Sequence, residues 1–326
     1  MDFSLSDEQR IICGSARSLL AGECPTSLLH SAWEDPDAAQ PLWSDHLCDW
    51  VGLAEGPLAD AALFMEEYGR AAAPGVFLPT LLASFIAVEL DETLDGSATV
   101  AISGEDGLWN PNGERTKHFV PCAAQAEQWV VVAGSEREPV VAIIPAHAAT
   151  PVEHMDRGRP LYSVEVGDFP GGRALSARSW ERAWHKCLVA CAAELVGAGR
   201  WLLDTAIAYA GERRQFGRPI GSFQGLQWKL VDAAAELERA GAAVAYAAMC
   251  VDASDGDSAR AVHCAKMEAG HAARHCARTS LQVHGGIGYT FEYGLHFWLR
   301  RAYSGDAFMG PSDYHAARLE RLLFAA

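Results

Sequence analysis

Between Ser179 and Val283 the sequence carries three long runs of apolar residues at helical spacing, parted only by short polar breaks, and this pattern restricts the fold to a bundle of long helices. The first run, Ser179 to Glu212, sets Trp184, Leu188, Leu195, Leu202, Ala206 and Tyr209 along one face. The second goes from Phe223 to about Val251 through Leu226, Leu230, Leu237, Val244 and Ala248, and closes in the turn cluster Asp252 to Asp257. The third spans about Ser258 to Val283 and stops at Gly285-Gly286, a pair that ends helices.

With 326 residues the chain has room for more than this bundle. Residues 1–95 read as three or four further helices: Ser6 is placed to cap the first, Pro57 to Ala73 forms an amphipathic stretch, and Leu78 to Leu90 forms another. Residues 96–176 change to short β-rich runs at Ala98–Ser103, Lys117–Val120, Trp129–Ala133, Val140–Pro145 and Ser163–Val166, with Trp129, Val131 and Ile143 as their core. These runs stand too close together for helical crossovers, which predicts antiparallel pairing in a small barrel or sandwich. Residues 177–326 are the helical bundle. The fold class is therefore mainly α with a small middle β domain. No G-x-G-x-x-G follows a strand and no Walker A segment occurs, so a parallel nucleotide-binding sheet is not expected.

A formal charge of −16 repels phosphodiester backbones and anionic bilayers and argues against nucleic-acid binding. No uncharged apolar run reaches the ~18 residues of a membrane span. The acidic start Met1-Asp2-Phe3-Ser4-Leu5-Ser6-Asp7-Glu8 lacks the apolar core of a secretory signal, giving a cytoplasmic expectation. Nine scattered cysteines without a C-x-x-C pair read as reduced, packed thiols. His263, His271, His275 and His284 recur at helical spacing without an H-E-x-x-H, and read as surface side chains; no metal is expected.

Two segments carry chemistry. Glu212-Arg213-Arg214-Gln215-Phe216-Gly217-Arg218-Pro219-Ile220-Gly221-Ser222-Phe223-Gln224 joins two long helices; an arginine pair, an aromatic and a glycine turn into a helix N-terminus can hold a diphosphate. A solvated helix connection explains the same residues. Gln282-Val283-His284-Gly285-Gly286-Ile287-Gly288-Tyr289 allows close backbone approach of a ligand, although a glycine-rich helix stop would look alike.

With the order of domains, these segments resemble the acyl-CoA dehydrogenase family, whose members read R-[RK]-x-F-G-x-x-[IL]-x-x-x-Q and Q-x-x-G-G-x-G-[YF]. The resemblance covers nearly the whole chain, including Met65-Glu66-Glu67-Tyr68-Gly69-Arg70. It implies FAD across a subunit interface, with contacts to the adenine diphosphate end from Arg213, Phe216, Gln224, Gln282, Gly285 and Gly286. It implies an acyl-CoA substrate and an electron-transfer flavoprotein as acceptor.

The departures from the family pattern set the functional expectation. The flavin-ring motifs T-E-P-x-x-G-S-D and K-x-[WY]-I-[TS] are replaced by Ile102-Ser103-Gly104-Glu105-Asp106-Gly107 and Arg115-Thr116-Lys117-His118-Phe119-Val120-Pro121. The family's catalytic glutamate comes from one of two positions, which alignment places at Met309 and Cys187 here. Neither is a carboxylate, and general-base catalysis is worth ~10²–10⁴ in rate. Asp306 and Asp313 are the alternatives in reach of the first position, while Glu181 and Glu194 lie roughly 10 Å along the helix from the second. Within the family, heteromeric enzymes acting on steroid side-chain CoA thioesters pair a base-carrying subunit with a shorter one lacking it. This sequence resembles the shorter subunit, expecting a longer homologous partner that supplies base and flavin-ring site. A self-sufficient homo-oligomer with a non-standard base, or a non-catalytic assembly protein of the same fold, are the alternatives.

Overall fold

The computed structural model describes residues 3–167 and 171–324; Met1 and Asp2 of the acidic start lie outside them. The chain is mainly helical with a small β region. It divides into two compact units that interleave in sequence: one takes residues up to 21, 62–73 and from 188 on, the other residues 22–61 and 74–187.

In chain order the elements begin with α1 (Asp7–Glu23), α2 (Thr26–Glu34), the single turn α3 (Gln40–Leu42), α4 (Leu58–Arg70) and α5 (Phe77–Val88). Ser6 caps α1 as its sequence implies. Gln9 N–H donates to Ser6 Oγ at 3.1 Å and Ser6 N–H donates to Gln9 Oε1 at 3.2 Å, a reciprocal capping box. Helix α5 is apolar on every side and buried from Phe77 to Ala87.

Seven strands follow: β1 (Ala98–Ala101), β2 (Thr116–Pro121), β3 (Gln128–Gly134), β4 (Pro139–Pro145), β5 (Ala149–Val152), β6 (Leu161–Glu165) and β7 (Arg173–Ala174). They form a sheet in the order β1-β3-β4-β7 and a second in the order β2-β6-β5. Among the described residues all their pairings are antiparallel except β1 with β3, which run parallel. The exception arises because β2, between them in sequence, belongs to the other sheet. Trp129, Val131, Val120, Tyr162 and Val164 build the core, and Trp129 Nε1–H donates to the Ala123 carbonyl at 3.0 Å. Ile143, expected in that core, is only half-buried. The β3/β4 register sets Ile144 opposite Trp129, so Ile144 packs on the cluster and Ile143 belongs to the other face.

The remaining helices are α6 (Ala177–Glu212), α7 (Gln224–Asp252), α8 (Ser258–His284), α9 (Leu295–Ala307) and α10 (Ser312–Phe324), with the two-residue strands β8 (Arg214–Gln215) and β9 (Arg218–Pro219) between α6 and α7. Helix α8 is central to its unit, packed by α7, α9 and α10. That packing corrects the reading of its histidines. His263 is buried with its Nδ1 2.8 Å from His315 Nδ1, His284 is buried at the helix end, and His275 meets Glu236 at 2.8 Å; only His271 stands in solvent. A buried ion pair, Arg301 to Glu194 at 2.9 Å, ties α9 to α6, and Arg301 also donates to the Ala73 carbonyl at 3.0 Å. Glu194 is thus committed to structure. No disulfide joins any of the nine cysteines. Among the described residues no helix is long and apolar enough to cross a membrane.

Candidate functional site

The connection between α6 and α7 is a tight hairpin. Gln215 pairs with Arg218, so Phe216 and Gly217 are the two central turn residues, at φ +53° and +81°. Positive φ at both central positions is the type I′ form of a two-residue hairpin, in which Asn, Asp or Gly ordinarily stands at the first. Phe216 occupies it instead, in a region that costs a side chain with a Cβ roughly 1–2 kcal/mol. Its ring is also 92% exposed. The chain therefore bears both backbone strain and an unburied phenyl at one residue, a combination found where a ligand or partner is met.

Around it, Arg213 N–H donates to the Tyr209 carbonyl at 2.8 Å, and Ile220 N–H donates to the Arg213 carbonyl at 2.8 Å. These bonds fix the hairpin base and leave the exposed Arg213 guanidinium outside the backbone network. Arg218 is engaged differently, its guanidinium lying 4.1 Å from the centroid of the Phe223 ring. Helix α7 begins at Gln224 with Phe223 at its N-cap, no side chain capping it and no acid in its first turn. Its first N–H groups remain a site for negative charge.

The glycine segment at the end of α8 belongs to the same region. His284 is 4% exposed, and its Nδ1–H donates to the Ser280 carbonyl at 2.8 Å, which fixes the tautomer. Its ring stacks on Tyr209 at 4.6 Å and lies 5.2 Å from Tyr293. Burial lowers the His284 pKa, so the neutral ring is retained. Beneath, Ala206, Ala210 and Val283 form a core on which Tyr209, Ile220, Leu226 and Leu230 pack. This joins the hairpin, the start of α7 and the glycine turn into one surface. Gly285 holds φ +60°, and Gly288 is hemmed in by His284, Leu281 and Leu295 at 3.1–3.2 Å from any added Cβ. Gly286 has neither constraint, since a Cβ there would meet nothing within 4 Å. Conformation accounts for Gly285 and packing for Gly288, which leaves open approach as the use of Gly286. Gln224 and Gln282 are both exposed, and Gln282 lines a cleft between α7 and α8. His284 and Tyr293 join the site through this packing, and the position of His284 directly before Gly285 is the sequence signal for it.

The two positions aligned with the family base are closed. Met309 lies in the link from α9 to α10 at φ +59°, is 1% exposed, and rests its sulfur 3.5 Å from Cys191 Sγ. Fully buried Lys266 holds this link by donating to the carbonyls of Gly305, Asp306 and Gly310 at 3.2, 3.0 and 3.1 Å. Cys187 is fully buried in the other unit, and its thiol donates to the Leu82 carbonyl at 3.6 Å. Asp306 is buried and occupied: it accepts from Ser312 N–H at 3.2 Å and from the Ser312 hydroxyl, and meets Arg274 at 3.2 Å. Asp313 is an exposed residue of the first turn of α10, where a carboxylate suits the helix dipole.

Where the flavin-ring motifs of the family would stand, Lys117 is fully buried, with its Nζ donating to Asn112 Oδ1 at 2.6 Å and to the Asn112 carbonyl at 3.1 Å. Burial pushes the Lys117 pKa down to about 8. His118 Nδ1 pairs with Ser163 Oγ at 3.0 Å.

Comparison with known proteins agrees with this architecture. Residues 186–324 match the family model "Acyl-CoA dehydrogenase, C-terminal domain". Acyl-CoA dehydrogenase IpdE2 of Mycolicibacterium smegmatis is 29% identical over 341 residues, covering 98% of this chain and 100% of that protein. The crystal structure of the ChsE4-ChsE5 complex from Mycobacterium tuberculosis superposes with a TM-score of 0.85 at 20% identity over 100% of both chains. A glutaryl-CoA dehydrogenase from Mycobacterium smegmatis in complex with FADH2 gives a TM-score of 0.85 at 16% identity, over 99% of this chain and 96% of the other.

Proposed function

The chain belongs to the acyl-CoA dehydrogenase family, oxidoreductases acting on CH–CH donors, and from that membership we propose that it is the shorter, base-lacking subunit of a heteromeric FAD-dependent enzyme. The observation that carries this reading is Met309: the aligned base position holds a buried thioether that cannot take up a proton. The occupied Asp306 and solvated Asp313 leave the nearby acids in structural roles. In this reading residues 177–326 carry the adenine diphosphate half of the site, residues 1–95 and 96–176 being the helical and β domains before it. The ChsE4-ChsE5 complex supports the heteromeric form, and the complex with FADH2 supports the cofactor.

The residues present fit the diphosphate end of FAD. The Arg213 guanidinium can meet two phosphate oxygens at once, and the uncapped start of α7 adds backbone N–H donors. The exposed Phe216 ring would shield apolar cofactor surface from water, while Gln224 and Gln282 supply amide donors and acceptors. Gly285 and Gly286 let backbone approach without a side chain between. FAD, when bound, supplies the hydride acceptor for α,β-dehydrogenation of an acyl-CoA thioester. Removal of the α-proton falls to a carboxylate of the longer homologous partner, and electrons would leave to an electron-transfer flavoprotein. A steroid acyl-CoA thioester is the substrate class this reading takes, on the likeness to the Tcur3481-Tcur3483 steroid ACAD, whose structure superposes with a TM-score of 0.81 at 23% identity over 98% of both chains.

The test compares Arg213→Ala with Arg218→Ala in the assembled enzyme. Arg213→Ala should lose flavin by tenfold or more, since a charge-assisted bond is worth ~1.5–3 kcal/mol. Arg218, already committed to the Phe223 ring, should change flavin content little. Equal loss in both variants would overturn the assignment.

A further inference from the structure

The link from α9 to α10, residues 308–311, rests on a buried contact that the flavin surface does not use. His315 of α10 is fully buried, with its Nε2 3.2 Å from the Met309 carbonyl and its Nδ1 2.8 Å from Nδ1 of His263 on α8. A carbonyl oxygen only accepts, so His315 carries a proton on Nε2. Burial, with Lys266 and His263 close by, holds the His315 pKa far below its usual 6.5, so the ring is neutral and its Nδ1 is a bare acceptor. The proton between the rings therefore sits on His263 Nδ1, which donates. Gly310, at φ +103°, leaves room for this ring, since a Cβ there would stand 3.0 Å from His315 Nε2.

A further proton has no place in the closed contact. On His315 Nδ1 it would set two N–H groups face to face across 2.8 Å, beside the ammonium of Lys266. The other charged and titratable groups around the contact are engaged among themselves. Arg274 of α8 meets Asp306 of α9 at 3.2 Å, and Asp306 accepts from Ser312 N–H at the start of α10. Tyr314 of α10 lies edge-on to His315, with the Arg318 guanidinium 5.6 Å from its ring centroid. A glutamine amide at position 315 has the same donor for Met309 and the same acceptor for His263, with no proton to gain. What the imidazole adds is a response to acid.

We propose that the His263–His315 pair is an acid-sensitive latch, which closes the 308–311 link and the start of α10 onto α8 near neutral pH and releases them as pH falls. When the contact parts, His315 reaches water and takes up the proton that the closed form refuses. Closure is thus at full strength above pH 6.5 and weakens below it. Release of the link frees Met309 and the Cys191 thiol packed 3.5 Å from its sulfur.

Hydrogen exchange on the enzyme in the assembly in which it purifies measures the latch, at the amides of Phe308, Gly310 and His315, each rate divided by its intrinsic value at that pH. Between pH 7 and 5, uptake of one proton by a histidine of ordinary pKa should raise the opening equilibrium about 25-fold. The rise should be unchanged by sub-denaturing urea, the mark of local opening. In His315→Gln it should disappear. A flat wild-type profile would overturn the latch, and so would a rise that steepens with urea, which would be global unfolding; both readings stand even where His315→Gln does not fold. An equal rise in a folded His315→Gln would place the acid response in another group and overturn it as well.

Discussion

Replacing Phe216 by Asn should move stability and cofactor retention in opposite directions. The native residue sits at φ +53° in the first central position of a two-residue hairpin, where Asn is tolerated and a bulky side chain is not. Relief of that strain contributes ~1–2 kcal/mol. Little is lost in exchange, because the ring is 92% exposed and its main aromatic contact is an edge approach to Phe223 at 6.1 Å. Such a contact is worth ~0.5–1.5 kcal/mol. Between the midpoints of these ranges the lone chain gains about 0.5 kcal/mol, on the order of 1 °C in Tm for a chain of this size. In the assembled enzyme the same variant should lose flavin, because the ring that would cover the cofactor is gone. Thermal unfolding of the lone chain and flavin absorbance of the complex, read on one preparation, check both halves. A variant that unfolds earlier and keeps its flavin would refute the argument, since the ring would then be packing and not waiting for a ligand.

The glycine turn gives a paired expectation: Gly286→Ala should leave Tm unchanged while lowering flavin content, and Gly288→Ala should lower Tm by crowding His284, Leu281 and Leu295, both read by calorimetry and absorbance. Glu194→Gln removes the charge paired with the buried Arg301 and should cost about 3–5 kcal/mol in denaturant unfolding; a cost under about 1 kcal/mol would show that the pair is not sealed from water. Burial pushes the His185 pKa down from 6.5 to about 4, so the stability it contributes is complete above pH 6.5 and is lost as pH falls through 4. Between pH 7 and 4.5 the native chain should lose about 2–3 kcal/mol more than His185→Leu, and parallel losses in the two would place the acid sensitivity elsewhere.

The long helices were legible because a period sustained over more than 25 residues leaves no competing reading. Residues 224–252 and 258–284 match the runs read from the sequence to within a residue at each end. The capping box at Ser6 was legible for the same local reason. Strands β5 and β7 were not, being two to four residues long and largely exposed, without alternation to mark them. The exchange of Ile143 for Ile144 shows the limit of pattern alone: the turn between Gly134 and Pro139 sets the register, and a slip of one residue reverses the face. The burial of His263 and His284 depends on α7, α9 and α10 surrounding α8, which no spacing within α8 reveals. At the candidate site the residue types were readable, whereas the strain at Phe216 and the Tyr209 to His284 stack are three-dimensional facts.

In the proposed heteromer this chain holds half of a flavin site and no base. Flavin content against protein mass distinguishes that arrangement from a self-sufficient enzyme, for the chain expressed alone and for the chain co-expressed with a longer homologue that carries the glutamate. Little flavin is expected on the lone chain and about one FAD for every two chains in the complex, as a site shared across one interface requires. A lone chain that purifies with one FAD per chain and oxidises an acyl-CoA would contradict it.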